Sequence, residues 1–236
     1  MAFKRKPPPH NVRRVVCLGS NCRGVTTNKR GRLVQFESEQ ERKLILLLER
    51  DATVADYCSQ PETFTFTTAE GRRCHYTPDF QVWRTDGRIE MHEVTLEARR
   101  QTHGTRPPRE LAALAVCHIR GWHYLVYTDQ TLPTGYEYAN LDILSAFRSA
   151  SYANPSCAAF WRDQLAGQGA VHPHAILLRA DAAHQTGRLA SCLYHLLWHD
   201  QVQMDWQRPL LWRGDFHVAA RIWLPPAPTC REGRPL

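Results

Sequence analysis

The sequence is short of lysine, of paired cysteines and of long apolar runs. No run of about 18 apolar residues occurs, and because a membrane-spanning helix needs roughly 20, we expect no membrane partner. The basic N-terminus is not followed by an apolar stretch, which argues against a secretory signal and favours a cytoplasmic location. The eight cysteines have no paired spacing, so free thiols are expected rather than a disulfide framework.

Acidic residues are missing from the first 36 positions, which hold nine of the 30 Lys and Arg residues. The remaining 21 basic residues are balanced by 23 acidic ones, so the positive excess lies in an N-terminal arm. We predict an arm over residues 1–32 that binds DNA phosphates through counterion release, with a solvated tail that binds nothing as the open alternative. The predicted DNA contacts are Lys4, Arg5, Lys6, Arg13, Arg14, Lys29, Arg30 and Arg32.

Apolar periodicity after the arm predicts an α/β domain over residues 33–135, a mixed sheet flanked by helices. Ser38 and Glu41 have the spacing of a capping box at the start of its first helix. The expected elements are a helix over 36–50, strands near 62–68, 74–76, 80–83 and 89–94, a helix over 110–119 and a strand over 124–127.

The pattern lapses around Pro133 and Gly135, which predicts a domain boundary. Three helical stretches follow, near 140–149, 155–166 and 187–200, and short strand-like pieces follow these around Gly214. This order predicts a winged-helix-like C-terminal domain over residues 136–225. The final residues, 226–236, are rich in Pro and Arg and are expected to be disordered.

A Pro-Asp pair that opens a strand stands at Pro78-Asp79, and Glu93 follows it across a predicted hairpin. Metal-dependent nucleases present carboxylates to Mg²⁺ in this way. A three-residue loop with Gly87 in the left-handed conformation would centre the strand pairing on residue 86 and place the two carboxylates on one face. Carboxylate oxygens suit Mg²⁺ or Mn²⁺, so we predict a site for either ion.

Two further positions decide how this site is interpreted. Glu41 falls on the apolar stripe of the first helix, and it either closes the cap or leans toward the metal. Thr95 stands where such sites usually carry Lys, and helical geometry turns Lys43 away from Glu41. Arg99 or Arg100 can supply positive charge but cannot act as a base, because Arg stays protonated.

The order of these motifs over residues 33–130 resembles the TnsA family, the endonuclease subunits of heteromeric cut-and-paste transposases. The segments that carry the likeness are Glu37-Ser38-x-x-Glu41, Leu48-Glu49-Arg50-Asp51-Ala52-Thr53-Val54, Gln60-Pro61, Tyr76-Thr77-Pro78-Asp79-Phe80, Asp86-Gly87, Glu93-Val94, Gly121-Trp122 and Thr128-Asp129. The resemblance implies a restriction-endonuclease-like fold. It implies catalytic roles for Glu41, Asp79, Glu93 and Thr95, with the metal held by Glu41, Asp79, Glu93 and Val94.

The resemblance further implies Mg²⁺-dependent cutting of the 5′, non-transferred strand at transposon ends, in a bacterial protein that associates with the nucleoid when bound to DNA. The implied partners are double-stranded transposon-end DNA, a TnsB-like DDE transposase and a TnsC-like AAA+ regulator. Because Thr95 replaces the family lysine, a non-cutting DNA-binding and assembly subunit is the alternative. Another nuclease of the same fold is a third interpretation.

Overall fold

A computed structural model of the protein describes residues 23–101, 107–180 and 186–226. The chain divides into two compact units, one ending at Pro133 and one beginning at Thr134. In the described ranges no helix is both long enough and apolar enough to cross a membrane. The cysteines described there are free thiols, as predicted, namely Cys58, Cys74, Cys117, Cys157 and Cys192. Outside these ranges lie most of the predicted arm, with Lys4, Arg5, Lys6, Arg13 and Arg14, and the tail from residue 227.

The first unit is built on a four-stranded mixed sheet with helices, which confirms the predicted α/β class. Its strands are β1 (Gly24–Thr27), β2 (Leu33–Phe36), β3 (Val54–Ser59), β4 (Phe64–Thr67), β5 (Arg73–Tyr76), β6 (Phe80–Arg84), β7 (Ile89–Thr95) and β8 (His123–Thr128). Its helices are α1 (Glu39–Arg50), α2 (Glu97–Gln101) and α3 (Pro108–Arg120). The sheet order is β3-β6-β7-β8, in which β7 and β8 are parallel and the other pairs antiparallel.

Helix α1 covers one face of this sheet. Its buried residues Leu44, Ile45 and Leu48 form one core cluster with Phe80 and Val82. Ser38 is the N-cap, and its hydroxyl accepts a hydrogen bond from the Glu41 amide at 3.1 Å.

We predicted that Lys43 of α1 points away from Glu41 and from the apolar stripe of the helix. In the structure Lys43 is only 7 % exposed and Leu46 next on that side is 6 % exposed, so α1 is covered on more than its apolar stripe.

Helix α3 belongs to a second core cluster, on the other face of the sheet. Ala113 and Cys117 of the helix cluster with Met91, Tyr76 and Phe64. The helix ends at Gly121, whose φ of 67° is left-handed and suits glycine. Residues of β7 therefore alternate between an α1 side, which includes Val94, and an α3 side, which includes Met91.

The predicted arm boundary at residue 33 cuts through a β-hairpin, because β1 pairs with β2. The connection of this hairpin is tied to β3 by the very residues predicted to bind DNA. Arg32 lies 2.8 Å from the Asp56 carboxylate, Arg30 donates to the Ala55 carbonyl at 3.3 Å, and Lys29 donates to the Val54 carbonyl at 3.1 Å. These cations pair with acceptors on β3 within the unit, and their DNA contacts stay a prediction.

The second unit consists of helices followed by short strands, in the predicted order. Its helices are α4 (Gly135–Ser145), a 3-10 turn (Ala150–Tyr152), α5 (Pro155–Leu165), α6 (Pro173–Arg179) and α7 (Thr186–Trp198). Its strands are β9 (Gln203–Met204), β10 (Leu211–Trp212), β11 (Asp215–Phe216) and β12 (Ile222–Trp223). Helix α6 was not predicted, and the winged-helix assignment stays a prediction.

Candidate active site

The β6–β7 hairpin has the register predicted from its loop. Phe80 pairs with His92 and Trp83 pairs with Ile89, so the pairing is centred on residue 86. Gly87 has a φ of 93°, in the region that glycine tolerates best. Asp79 immediately precedes β6, and this register places it opposite Glu93.

Asp79 and Glu93 form a hydrogen-bonded pair of carboxyl groups. The Val94 amide donates to Oδ2 of Asp79 at 2.7 Å and fixes its orientation. Glu93 is only 5 % exposed, on the α3 side of the sheet. Two carboxylates in contact cannot both be ionised without a large repulsion, so the pair holds a proton when no cation neutralises it.

Burial raises the pKa of Asp79 well above its usual range, and the negative charges of Glu93 and Glu41 raise it further, against the opposing Val94 amide. Burial also raises the pKa of Glu93, but the Tyr76 hydrogen bond and the charge of Arg109 oppose that rise. We therefore assign the shared proton to Asp79, which donates to the better-stabilised Glu93 carboxylate.

Glu41 closes the cap of α1, one of the two roles considered for it. Its Oε2 accepts from the Glu37 amide at 2.8 Å and its Oε1 accepts from the Ser38 hydroxyl at 2.9 Å. Its charge nevertheless reaches Asp79, because it contributes to the raised pKa of that group. Within the described residues, no set of three or more His, Cys, Asp or Glu side chains is arranged to hold a metal ion. The structure thus joins Asp79 to Glu93 and leaves Glu41 beside them.

Thr95 and Val94 complete the predicted set. Thr95 is 7 % exposed and pairs with Thr128 in the parallel β7–β8 register, two residues beyond Glu93 on the same face. Val94 packs its side chain on the α1 side and contributes its backbone amide to Asp79. Neither the Thr95 nor the Val94 side chain carries a charge.

Sequence reasoning missed three side chains at this site. The Tyr76 hydroxyl donates to Oε2 of Glu93 at 2.6 Å and is itself 2.9 Å from the Tyr124 hydroxyl. Arg109 places Nη2 at 3.4 Å from Oε1 of Glu93. Tyr76 stood inside the quoted motif but had no assigned role, and no spacing pattern connects Arg109 with Glu93.

The cations that the sequence suggested for this site are placed differently. Arg100 is engaged by Glu110, with Nε 3.2 Å from Oε1, and by Glu97 at 3.7 Å. Arg99 lines a surface cleft that Arg109 also lines. Of the three arginines, Arg109 is the one that forms an ion pair with the Asp79–Glu93 pair.

Comparison with known families is consistent with this geometry. Residues 51–129 match the family model described as TnsA-like endonuclease N terminal. A search of curated proteins finds no significant match. The matched segment contains Asp79, Glu93 and Thr95, and it begins after Glu41.

Proposed function

We propose that this protein is a metal-dependent DNA endonuclease subunit of a heteromeric transposase, because residues 51–129 match the family model described as TnsA-like endonuclease N terminal. It would cut the 5′, non-transferred strand at transposon ends. The observation that carries the proposal is the hydrogen-bonded pair of Asp79 and Glu93 at the start of the β6–β7 hairpin.

The residues present fit a divalent cation by their chemistry. Two carboxyl groups already in contact offer hard oxygen donors, and their shared proton marks a position where positive charge is favourable. Asp79 and Glu93 would hold Mg²⁺ or Mn²⁺, with Glu41 as the nearby third acid. When bound, the ion would activate water and neutralise charge on the leaving oxygen.

The chain's own groups hold the acids in place. The Val94 amide donates to Oδ2 of Asp79, and the Tyr76 hydroxyl donates to Oε2 of Glu93, so each carboxyl group is oriented by a hydrogen bond of its own. Outer hydrogen bonds of this kind raise metal affinity by limiting ligand motion. The capping contacts of Glu41 hold its carboxylate at the first turn of α1.

A second candidate function is favoured by one observation, the neutral Thr95 in place of the family lysine. In this alternative the protein binds transposon DNA and assembles the complex without cutting. Both candidates involve double-stranded transposon-end DNA, a TnsB-like DDE transposase and a TnsC-like AAA+ regulator, the last contacted chiefly through the second unit.

The test is a nicking assay with the full chain, transposon-end DNA, the transposase partner and Mg²⁺ or Mn²⁺. Cutting of the 5′ strand that Asp79→Asn abolishes supports the endonuclease. Asp86→Asn is the matched control, since Asp86 lies in the loop of the same hairpin and contacts only its neighbour Arg88 in the described contacts. If wild type leaves the DNA uncut while Thr95→Lys cuts it, the assembly subunit is the correct interpretation.

A further inference from the structure

The candidate site lacks the cation that the TnsA family places two residues after Glu93, so a cation that pairs with one of the two acids becomes important. Arg109 is the second residue of α3, directly after Pro107 and Pro108, which start the helix. Its guanidinium reaches Oε1 of Glu93 at 3.4 Å, whereas Tyr76 occupies Oε2 of the same carboxylate.

Arg109 differs from Arg100 in its freedom to meet a ligand. Its side chain is 43 % exposed while its partner Glu93 is 6 % exposed, so the guanidinium has a buried carboxylate on one side and solvent on the other. Arg100 is 30 % exposed and is engaged by two acids, Glu97 and Glu110. A guanidinium has five N–H donors, so Arg109 can hold Glu93 and still donate to a second anion.

A surface cleft of about 540 Å³ adjoins this arginine. Arg99, Arg109, His75 and Thr68 line it, and none of the described residues that line it is acidic. Planar guanidinium groups bind phosphate oxygens through paired hydrogen bonds. The cleft therefore suits a phosphodiester backbone that contacts Arg109, which also pairs with Glu93.

We propose that Arg109 binds the scissile phosphate and supplies the positive charge that Thr95 cannot. This inference rests on the proposed endonuclease function and assigns Arg109 a role in it. Arg109 stays protonated, so it stabilises negative charge on a non-bridging phosphate oxygen and removes no proton from water. Arg99 contacts a neighbouring phosphate in the same cleft.

The first test measures DNA binding by the full chain to a generic duplex without divalent cations, over a salt series. Each phosphate contact contributes about 0.9 to the slope of log K against log salt for duplex DNA. Arg109→Ala should lower that slope by about one contact. Arg88→Ala is the control, because it removes a more exposed arginine that pairs with Asp86 in the hairpin loop. Equal slopes for wild type and Arg109→Ala would overturn the proposed phosphate contact.

The second test measures nicking at saturating DNA. Arg109→Ala should lower kcat about 100-fold, the loss typical of one stabilising donor, and Arg109→Lys should retain part of the rate. Thr95→Lys should raise the rate at least about tenfold more in Arg109→Ala than in wild type, whereas a purely structural role of Arg109 predicts the same factor in both backgrounds. Unchanged nicking by Arg109→Ala, with Asp79 still required, overturns the inference and leaves the endonuclease intact. A lower salt slope with no nicking by wild type supports the phosphate contact and overturns the endonuclease.

Discussion

Replacing Asp79 by Asn should stabilise the metal-free protein. Asn has the same shape as protonated Asp, so it can accept from the Val94 amide through Oδ1 and donate to Glu93 through Nδ2. The substitution keeps both hydrogen bonds and removes the need to hold a proton on a half-buried acid. Single stabilising substitutions commonly raise stability by about 0.5–2 kcal/mol.

The pH dependence follows from the raised pKa of Asp79. Unfolded Asp loses its proton near pH 4, while the folded protein keeps it, so wild-type stability falls as pH rises from about 4 toward the raised pKa. The amide does not titrate. Each pH unit in that window lowers the stability of wild type by up to about 1.4 kcal/mol. We expect a total loss of about 1 kcal/mol, because Asp79 is half-buried and its charge is partly screened.

The assay is thermal unfolding of both proteins between pH 4 and pH 8 in a chelator. A gain of about 1 kcal/mol raises Tm by roughly 2–4 °C for a chain of this size. The gain should appear at pH 8 and vanish near pH 4. Asp86→Asn is the control. Hydrogen bonds from Arg88 lower the pKa of Asp86, so removing this exposed carboxylate should not raise Tm.

Adding about 10 mM Mg²⁺ should reverse the ranking. If Mg²⁺ binds with a Kd of about 1 mM, it stabilises wild type by about 1.4 kcal/mol and leaves Asp79→Asn unchanged. A Tm gain for Asp79→Asn that is the same at every pH, or a loss at pH 8, would refute the shared proton. An equal Mg²⁺ response in both proteins would refute the metal assignment.

Three further predictions concern the residues around the pair. Tyr76→Phe removes the 2.6 Å hydrogen bond to Glu93 and should weaken Mg²⁺ affinity about 10-fold, measured by titration calorimetry, with exposed Tyr136→Phe as the unaffected control. Ser38→Ala removes the N-cap of α1 and should cost about 1 kcal/mol in urea unfolding, whereas Ser38→Asn should retain most of it. Asp56→Ala should cost about 1–3 kcal/mol in the same measurement, because it leaves buried Asn28 without its 2.8 Å acceptor, and an unchanged midpoint would contradict the structural role of this acid.

The hairpin register was predictable because it depends on local chemistry. A loop that contains Gly87 at a left-handed position fixes the strand pairing, and the two-residue period of strands then fixes which side chains share a face. These rules predicted that Asp79 and Glu93 share a face if the pairing is centred on residue 86, and the observed register has that centre. The capping box at Ser38 and Glu41 was predictable for the same reason, since both partners lie within one helical turn.

The elements missed from the sequence depend on distant partners. Strand β3 was not predicted, because it contains polar residues and so lacks the apolar pattern expected of a buried strand. Its Asp56 and Ser59 are nevertheless buried, at 5 % and 1 % exposure. Asp56 is satisfied by Asn28 and Arg32, which lie more than 20 residues earlier. A basic segment therefore looked like a free arm, although its last part is folded against an acid that no local pattern connects with it.

Replacement of an acid by its amide is the argument that separates a functional pair from a structural one. An Asn at position 79 would make the same hydrogen bonds as the protonated acid without the pH-dependent loss, so packing gives no reason to prefer Asp79. A metal cation that displaces the proton does give a reason to prefer Asp79 over Asn at this position. Arg109 at the same carboxylate is also compatible with Thr95, since a lysine two residues beyond Glu93 would add a second cation to a site that already has one.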